Sequence, residues 1–176
     1  SFMVFSFLNG LIGPAYSDFV GKSMIRTRGF FFGVSYAASG AMGLVASLIY
    51  QESKFNPNVR SESGAYGLMQ FMPNTAEYFG IEHEASPNVQ LKTGIRYLKM
   101  LEKYMEEIKI PEKERLKFVL AAYNAGYGHI LDARSLAKKY GKDPNVWDNN
   151  VAFFIQNKKE FCSDSVVRHG YLRGSE

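Results

Sequence analysis

Glu52 closes the run Leu48-Ile49-Tyr50-Gln51-Glu52-Ser53, and a glutamate in that place has a definite chemistry. At 3.6 residues per turn, Leu44, Val45, Leu48 and Ile49 fall on one stripe of a helix, and Glu52 continues it. A charge on the buried face of a helix is unfavourable unless something uses it. Burial favours the protonated acid, and the negative end of the helix dipole disfavours a carboxylate in the last turn. A glutamic acid held protonated near neutral pH is what general acid catalysis requires. Taken alone, the segment would better fit a carboxylate that simply turns out to solvent at a helix end. Its company argues otherwise.

Three short segments stand out together. The first is Gln51-Glu52-Ser53, with Ser61 nine residues beyond the glutamate. The second is Gly64-Ala65-Tyr66-Gly67-Leu68-Met69-Gln70, followed by Met72-Pro73. The third is Ala121-Ala122-Tyr123-Asn124-Ala125-Gly126-Tyr127-Gly128. Each alone is weak: Gly-x-x-Gly is often just a turn, and Asn and Gly often end a helix. In combination they suit a glycosidic bond, with Glu52 protonating the bridging oxygen. Gly64 and Gly67 would let a polymer lie against the backbone. The Gln70 amide can donate to and accept from hydroxyl or N-acetyl groups. Tyr123 and Asn124 offer an amphipathic wall and a second amide. Most glycosidases pair two carboxylates. Here Glu62 lies in a polar loop and Glu77 on a short amphipathic helix, so both read as solvated surface. A single acid points to a reaction in which the substrate assists itself.

The elements that must position these residues read as helices separated by Pro and Gly, with no alternating strand. A first helix is predicted over Ala41–Ser53, and Pro73 suits the first position of a short helix ending before Gly80. Ser86-Pro87 opens the longest helix, with Leu91, Ile95, Leu98, Met105 and Ile108 as its apolar stripe. Pro111 starts the next, burying Leu116, Val119, Leu120 and Tyr123. Further helices are expected over Ile130–Tyr140 and Val146–Asn157. The prediction is a mainly α chain with a single core. Residues 1–40 form an unassigned amino-terminal segment and residues 41–176 the functional domain. Gly29–Gln51 is a stretch of 23 residues without charge behind Lys22, Arg26 and Arg28, long enough to span a bilayer. Its many Gly and Ser residues and the adjoining Glu52 make it a lead-in to a core helix instead.

Composition narrows the partners. At 176 residues the chain can bury a proper core. Its 14 Phe and 11 Tyr serve that core first, and also suit stacking on sugars. The net charge of +4 is spread along the chain, without the basic and aromatic cluster of a nucleic-acid binder. An anionic polymer fits better. A single cysteine, Cys162, excludes an internal disulfide framework. His83, His129 and His169 show no ligand spacing, so neither a metal nor a cofactor is expected.

With those residues in view, 44–140 resembles the catalytic domain of the soluble-lytic-transglycosylase family, which has a lysozyme-like helical fold. The resemblance rests on Glu-Ser at 52–53, Gly-Leu-Met-Gln at 67–70 and Ala-Tyr-Asn-Ala-Gly at 122–126. Leu131-Asp132-Ala133-Arg134, Gly141–Trp147 and Gly170–Gly174 narrow it within the family. It implies cleavage of the β-1,4 bond between N-acetylmuramic acid and N-acetylglucosamine in peptidoglycan, with Glu52 as acid and then as base. The sugar's own 6-hydroxyl would close a 1,6-anhydro ring. By the same match Ser61 lies near the N-acetyl group, while Gln70, Met72, Tyr123 and Asn124 line the saccharide groove. Leu68 and Met69 are assigned to packing. A bacterial cell-envelope location, periplasmic and in places attached to the outer membrane, is implied too. Membrane association through the amino-terminal segment or a part of a longer chain stays open. The family's Tyr-Val pair on a further helix has no counterpart before Glu176, so a truncated carboxyl end is expected. The alternatives are a goose-type lysozyme-like hydrolase, which uses water, and a non-catalytic glycan-binding module.

Overall fold

The computed structural model describes residues 39–170 apart from residue 83. Every regular element among them is helical, and extended pairing is limited to isolated antiparallel bridges, Arg60 with Tyr66 and Tyr66 with Phe71. The helices are α1 (Ser39–Ser53), α2 (Pro73–Phe79), α3 (Pro87–Glu107), α4 (Glu112–Ala125), α5 (Tyr127–Lys139), α6 (Ala152–Gln156) and α7 (Lys158–Phe161). A kinked turn, Trp147–Val151, leads into α6. No helix among the described residues is long and apolar enough to cross a membrane. The expectations for residues 1–38, for His83 and for 171–174 lie outside the described residues.

Pro and Gly punctuate the chain as physical chemistry requires. Pro73 occupies the first turn of α2, where a missing N–H leaves nothing unpaired. Gly80 caps the same helix in the left-handed region, at φ 65°. Pro111 precedes α4, and Gly126 at φ 94° separates α4 from α5. The last predicted helix is the exception. Asp148 and Asn149 leave helical geometry, and the chain breaks again at Asn157, so one expected helix becomes a turn and two short pieces.

Where a single core is predicted, the described residues group into two compact units that divide within α3, after Tyr97. In the unit ending at Tyr97, the buried apolar residues are Leu48, Ile49, Ala65, Met69 and Phe71. Phe79 packs its ring against Tyr97 at 5.7 Å, with Arg96 above it. On α3 the fully buried line is Gln90, Thr93, Gly94, Leu101 and Met105, not the predicted stripe, of which only Met105 is fully buried. Gln90, although polar, can occupy that line because the chain around it supplies partners for its amide, among them the Leu68 N–H and the Ala85 carbonyl.

The unit from Leu98 onward buries Phe118, Leu120, Ala121 and Ala122 of α4 together with Ile130, Ala133 and Leu136 of α5. Leu116, expected inside, is 48% exposed, whereas Glu114 is buried. The reason is specific: a Glu114 oxygen accepts the backbone N–H of Trp147 at 2.9 Å, and the Trp147 ring meets Phe118 edge-on. Leu116, two positions further along the helix, falls on the opposite, outward side.

Asp132 on α5 anchors the end of this unit. Its carboxylate accepts Lys158 Nζ at 2.7 Å, the backbone N–H groups of Arg168 and His169, and His169 Nδ1. Lys158 is fully buried and also donates to His129 Nδ1. His129 and His169, distant in sequence, are therefore joined through one carboxylate, His169 directly and His129 by way of the Lys158 ammonium. Burial, and then Lys158, lowers the His129 pKa to about 4. Although burial opposes it, the donors around Asp132 hold its carboxyl far below the ordinary range.

Candidate active site

Glu52 stands in the last turn of α1 and is half-buried. Leu48 and Ile49, one turn before it, are fully buried, so the stripe read from the sequence does lead inward. Its rigid seat comes from the three residues after it. Ser53 is buried and returns its hydroxyl to the carbonyl of Ile49 at 3.0 Å. Lys54 N–H bonds to Tyr50 O, and Lys54 and Phe55 then turn the chain sharply at φ 51° and 63°. Burial raises the Glu52 pKa to about 7. Near neutral pH the group is thus divided between acid and carboxylate, able to give a proton and to take one.

The chain then builds a compact loop. Tyr66 and Phe71 exchange both backbone hydrogen bonds, and Gly67 N–H bonds to Val59 O. Ser61 closes the turn 61–65: its backbone pairs with Ala65, and its hydroxyl accepts the Ala65 N–H at 2.9 Å. Ser63 Oγ lies 3.0 Å from Ser61 Oγ. Gln70 adopts φ 48°, and its side-chain amide donates to Val59 O and Gly67 O. Both donors hold the loop, which leaves the Gln70 carbonyl oxygen as its acceptor for a ligand. Met72 comes next as an exposed apolar residue at the start of α2. Met69 is fully buried, as its packing role requires, against Gly94 of α3.

Gly67 has a different reason from the one read in the sequence. Gly67 sits at φ 83°, and a Cβ there would stand 2.3 Å from Gln90 Oε1. Its missing side chain makes room for Gln90, not for a polymer. Gly64 is required by its φ of 87°, since the space around it is open enough for a Cβ. Gln90 itself escapes sequence reasoning, because an amide on an amphipathic helix reads as surface. Beside the loop lies a cleft of about 300 Å³, lined by Tyr66, Phe71, Pro73 and Ile81, with Glu77 at its edge. Glu62 and Glu77 do not join Glu52 as a second buried acid: Glu62 is exposed and Glu77 stands on the short surface helix α2.

Tyr123 and Asn124 occupy the last turn of α4, half-buried, just before Gly126. Ala121 and Ala122, fully buried beside them, fix that end of the helix in its own unit. Glu52, Ser61, Gln70 and Met72 belong to the unit ending at Tyr97, and Tyr123 and Asn124 to the unit beginning at Leu98. No group of His, Cys, Asp and Glu suited to a metal occurs among the described residues.

Among the described residues, helices alone as regular elements, a half-buried glutamate at a helix end, and after it a bridged Gly-Leu-Met-Gln loop define the class. Residues 31–146 match the transglycosylase SLT domain, and the chain belongs to that family. It is similar to the membrane-bound lytic murein transglycosylase F of Shewanella loihica, 39% identical over 145 residues. That alignment covers 81% of this chain and 30% of the relative. The proteins of the same name from Vibrio cholerae and Shewanella pealeana are 40% and 41% identical, across 80% and 75% of this chain. The chain spans less than a third of the length of these relatives.

Proposed function

We propose that the chain is the catalytic domain of a peptidoglycan lytic transglycosylase, extending over residues 41–176 and acting on glycan strands in the bacterial cell envelope. One observation carries the reading: the half-buried Glu52, whose pKa is raised to about 7 at the rigid end of α1. Glu52 donates its proton to the glycosidic oxygen between N-acetylmuramic acid and N-acetylglucosamine, and the bond from the anomeric carbon to that oxygen breaks. The substrate's N-acetyl oxygen stabilises the cationic carbon. The Glu52 carboxylate then removes the proton of the 6-hydroxyl, whose oxygen bonds to the anomeric carbon and closes the 1,6-anhydro ring. Glu52 is restored to the acid form, and no water is consumed. Because the attacking hydroxyl belongs to the same sugar, its effective concentration is high. Ser61 hydrogen-bonds near the N-acetyl group, and the Gln70 carbonyl, Met72, Tyr123 and Asn124 bind saccharide.

Mass spectrometry of digested peptidoglycan tests this. Anhydro-ended muropeptides, one water lighter than hydrolysis products, are expected, and Glu52→Gln abolishes them while glycan binding persists. Reducing ends alone would mean a hydrolase, and no release would mean a binding module. Full cleavage by Glu52→Gln would remove the acid from its role.

A further inference from the structure

Gln90 is a polar side chain only 2% exposed, and each hydrogen-bonding position of its amide in this structure meets a different stretch of chain. Oε1 accepts the Leu68 N–H at 2.7 Å, within the Gly-Leu-Met-Gln turn. Nε2 donates to Pro57 O at 3.2 Å, in the segment leaving α1, and to Ala85 O at 2.7 Å, in the connection between α2 and α3. One acceptor and two donors at a single side-chain end is the chemistry of an amide and of no other side chain. A buried amide left unsatisfied is unfavourable, so the three segments are held in one register. The fit is close on the opposite side as well, since Gly67 carries no Cβ where one would meet Oε1 at 2.3 Å.

From this arrangement we infer that Gln90 is a positioning residue for the proposed reaction: it fixes the loop that carries Ser61 and Gln70, and through them the hold on the saccharide. The inference rests on the proposed function for its substrate, but its geometry does not depend on that reading. Gln90 touches no reacting atom in this role. It acts by anchoring Leu68 and Pro57, which lie on either side of Ser61 along the chain. Gln70 gains indirectly, because the carbonyls it bonds to, Val59 and Gly67, are each within two residues of an anchored one.

Gln90→Glu keeps the shape of the side chain but loses at least one of the two donors, and Gln90→Met keeps the volume but loses all three hydrogen bonds. Gly67→Ala presses on the same amide from the other side. Each is made in the full chain carrying Glu52→Gln, so that binding of isolated glycan strands is read without cleavage. At a temperature where circular dichroism shows each variant folded, the expected result is at least tenfold weaker glycan binding. Amide exchange at Leu68 should become at least tenfold faster. Faster exchange with unchanged binding would overturn the inference, because the amide would then hold the loop for stability alone. Unchanged exchange would overturn it too, as would failure of all three variants to fold. In chains with Glu52 intact, the same substitutions lower cleavage without altering the anhydro character of the product. If the parent chain releases reducing ends, the proposed reaction fails while the binding and exchange results still decide the role of Gln90.

Discussion

Glu52 releases its proton at about pH 7 in the folded chain and at 4.5 once its surroundings are lost. Between those values the folded chain holds a proton that the unfolded chain gives up, so stability falls as the pH rises through the window. Above it the penalty is complete, at most about 3 kcal/mol. An amide of the same size escapes it. Glu52→Gln is therefore expected to unfold at a higher urea concentration than the parent at pH 8, with the gap closing towards pH 4.5. Urea titrations at the two pH values decide the matter, and a variant weaker than its parent at pH 8 would show a carboxylate stabilised by its surroundings. Under the proposed function, the same raised pKa sets the pH dependence of turnover. Where Glu52 is the acid, kcat/KM declines as the pH rises above about 7. Under the proposed function, the group that serves as acid is also a source of instability, as active-site groups often are.

α7 shows how a short helix can be held by one charge. It begins with Lys158, whose ammonium is fully buried between Asp132 and His129. Burial lowers the Lys158 pKa, and the bond to Asp132 works against that shift. Lys158→Met retains the apolar stem but leaves the Asp132 carboxylate buried without its cation, a loss of about 3–5 kcal/mol. Thermal denaturation should show a clear drop in Tm, and an unchanged Tm would mean that backbone donors from Arg168 and His169 suffice. The order and approximate ends of α1 to α5 were legible because Pro73, Pro87, Pro111, Gly80 and Gly126 act locally on the backbone. Which residues of α3 and α4 turn inward was legible only in part. Glu114 is buried and Leu116 exposed because Trp147, 33 residues from Glu114, needs an acceptor. Gln90 is buried because two points of the loop after α1 and one of the connection before α3 need one amide. Such pairings are decided by long-range contact, to which helical periodicity is blind.

For the whole chain, the acid of the candidate site was legible because its oddity is local, a carboxylate continuing an apolar stripe. The Asp132 cluster was not, since Asp, Lys and His read singly as surface, and only the fold brings positions 129, 132, 158 and 169 together. The two features respond to pH in opposite directions. His129 binds its proton at 6.5 when unfolded and only at about 4 when folded. The unfolded chain therefore takes up more protons between those values, and stability falls as the pH drops through them. Asp132, held ionised in the folded chain, adds to the loss as the pH falls below its unfolded value of 3.8. Glu52 acts with the opposite sign between 4.5 and about 7, so in the parent chain it opposes the His129 contribution wherever the chain unfolds as one. Glu52→Gln removes that opposition. Trp147, the chain's single tryptophan and buried against Phe118, gives a fluorescence signal from the unit that holds His129 and Asp132. In Glu52→Gln, the urea midpoint tracked through Trp147 should fall steadily as the pH is lowered from 6.5 to about 4, and keep falling below 3.8. A midpoint that stays level across that range would mean that His129 accepts its proton in the folded chain as readily as in the unfolded one, against its place beside the Lys158 ammonium.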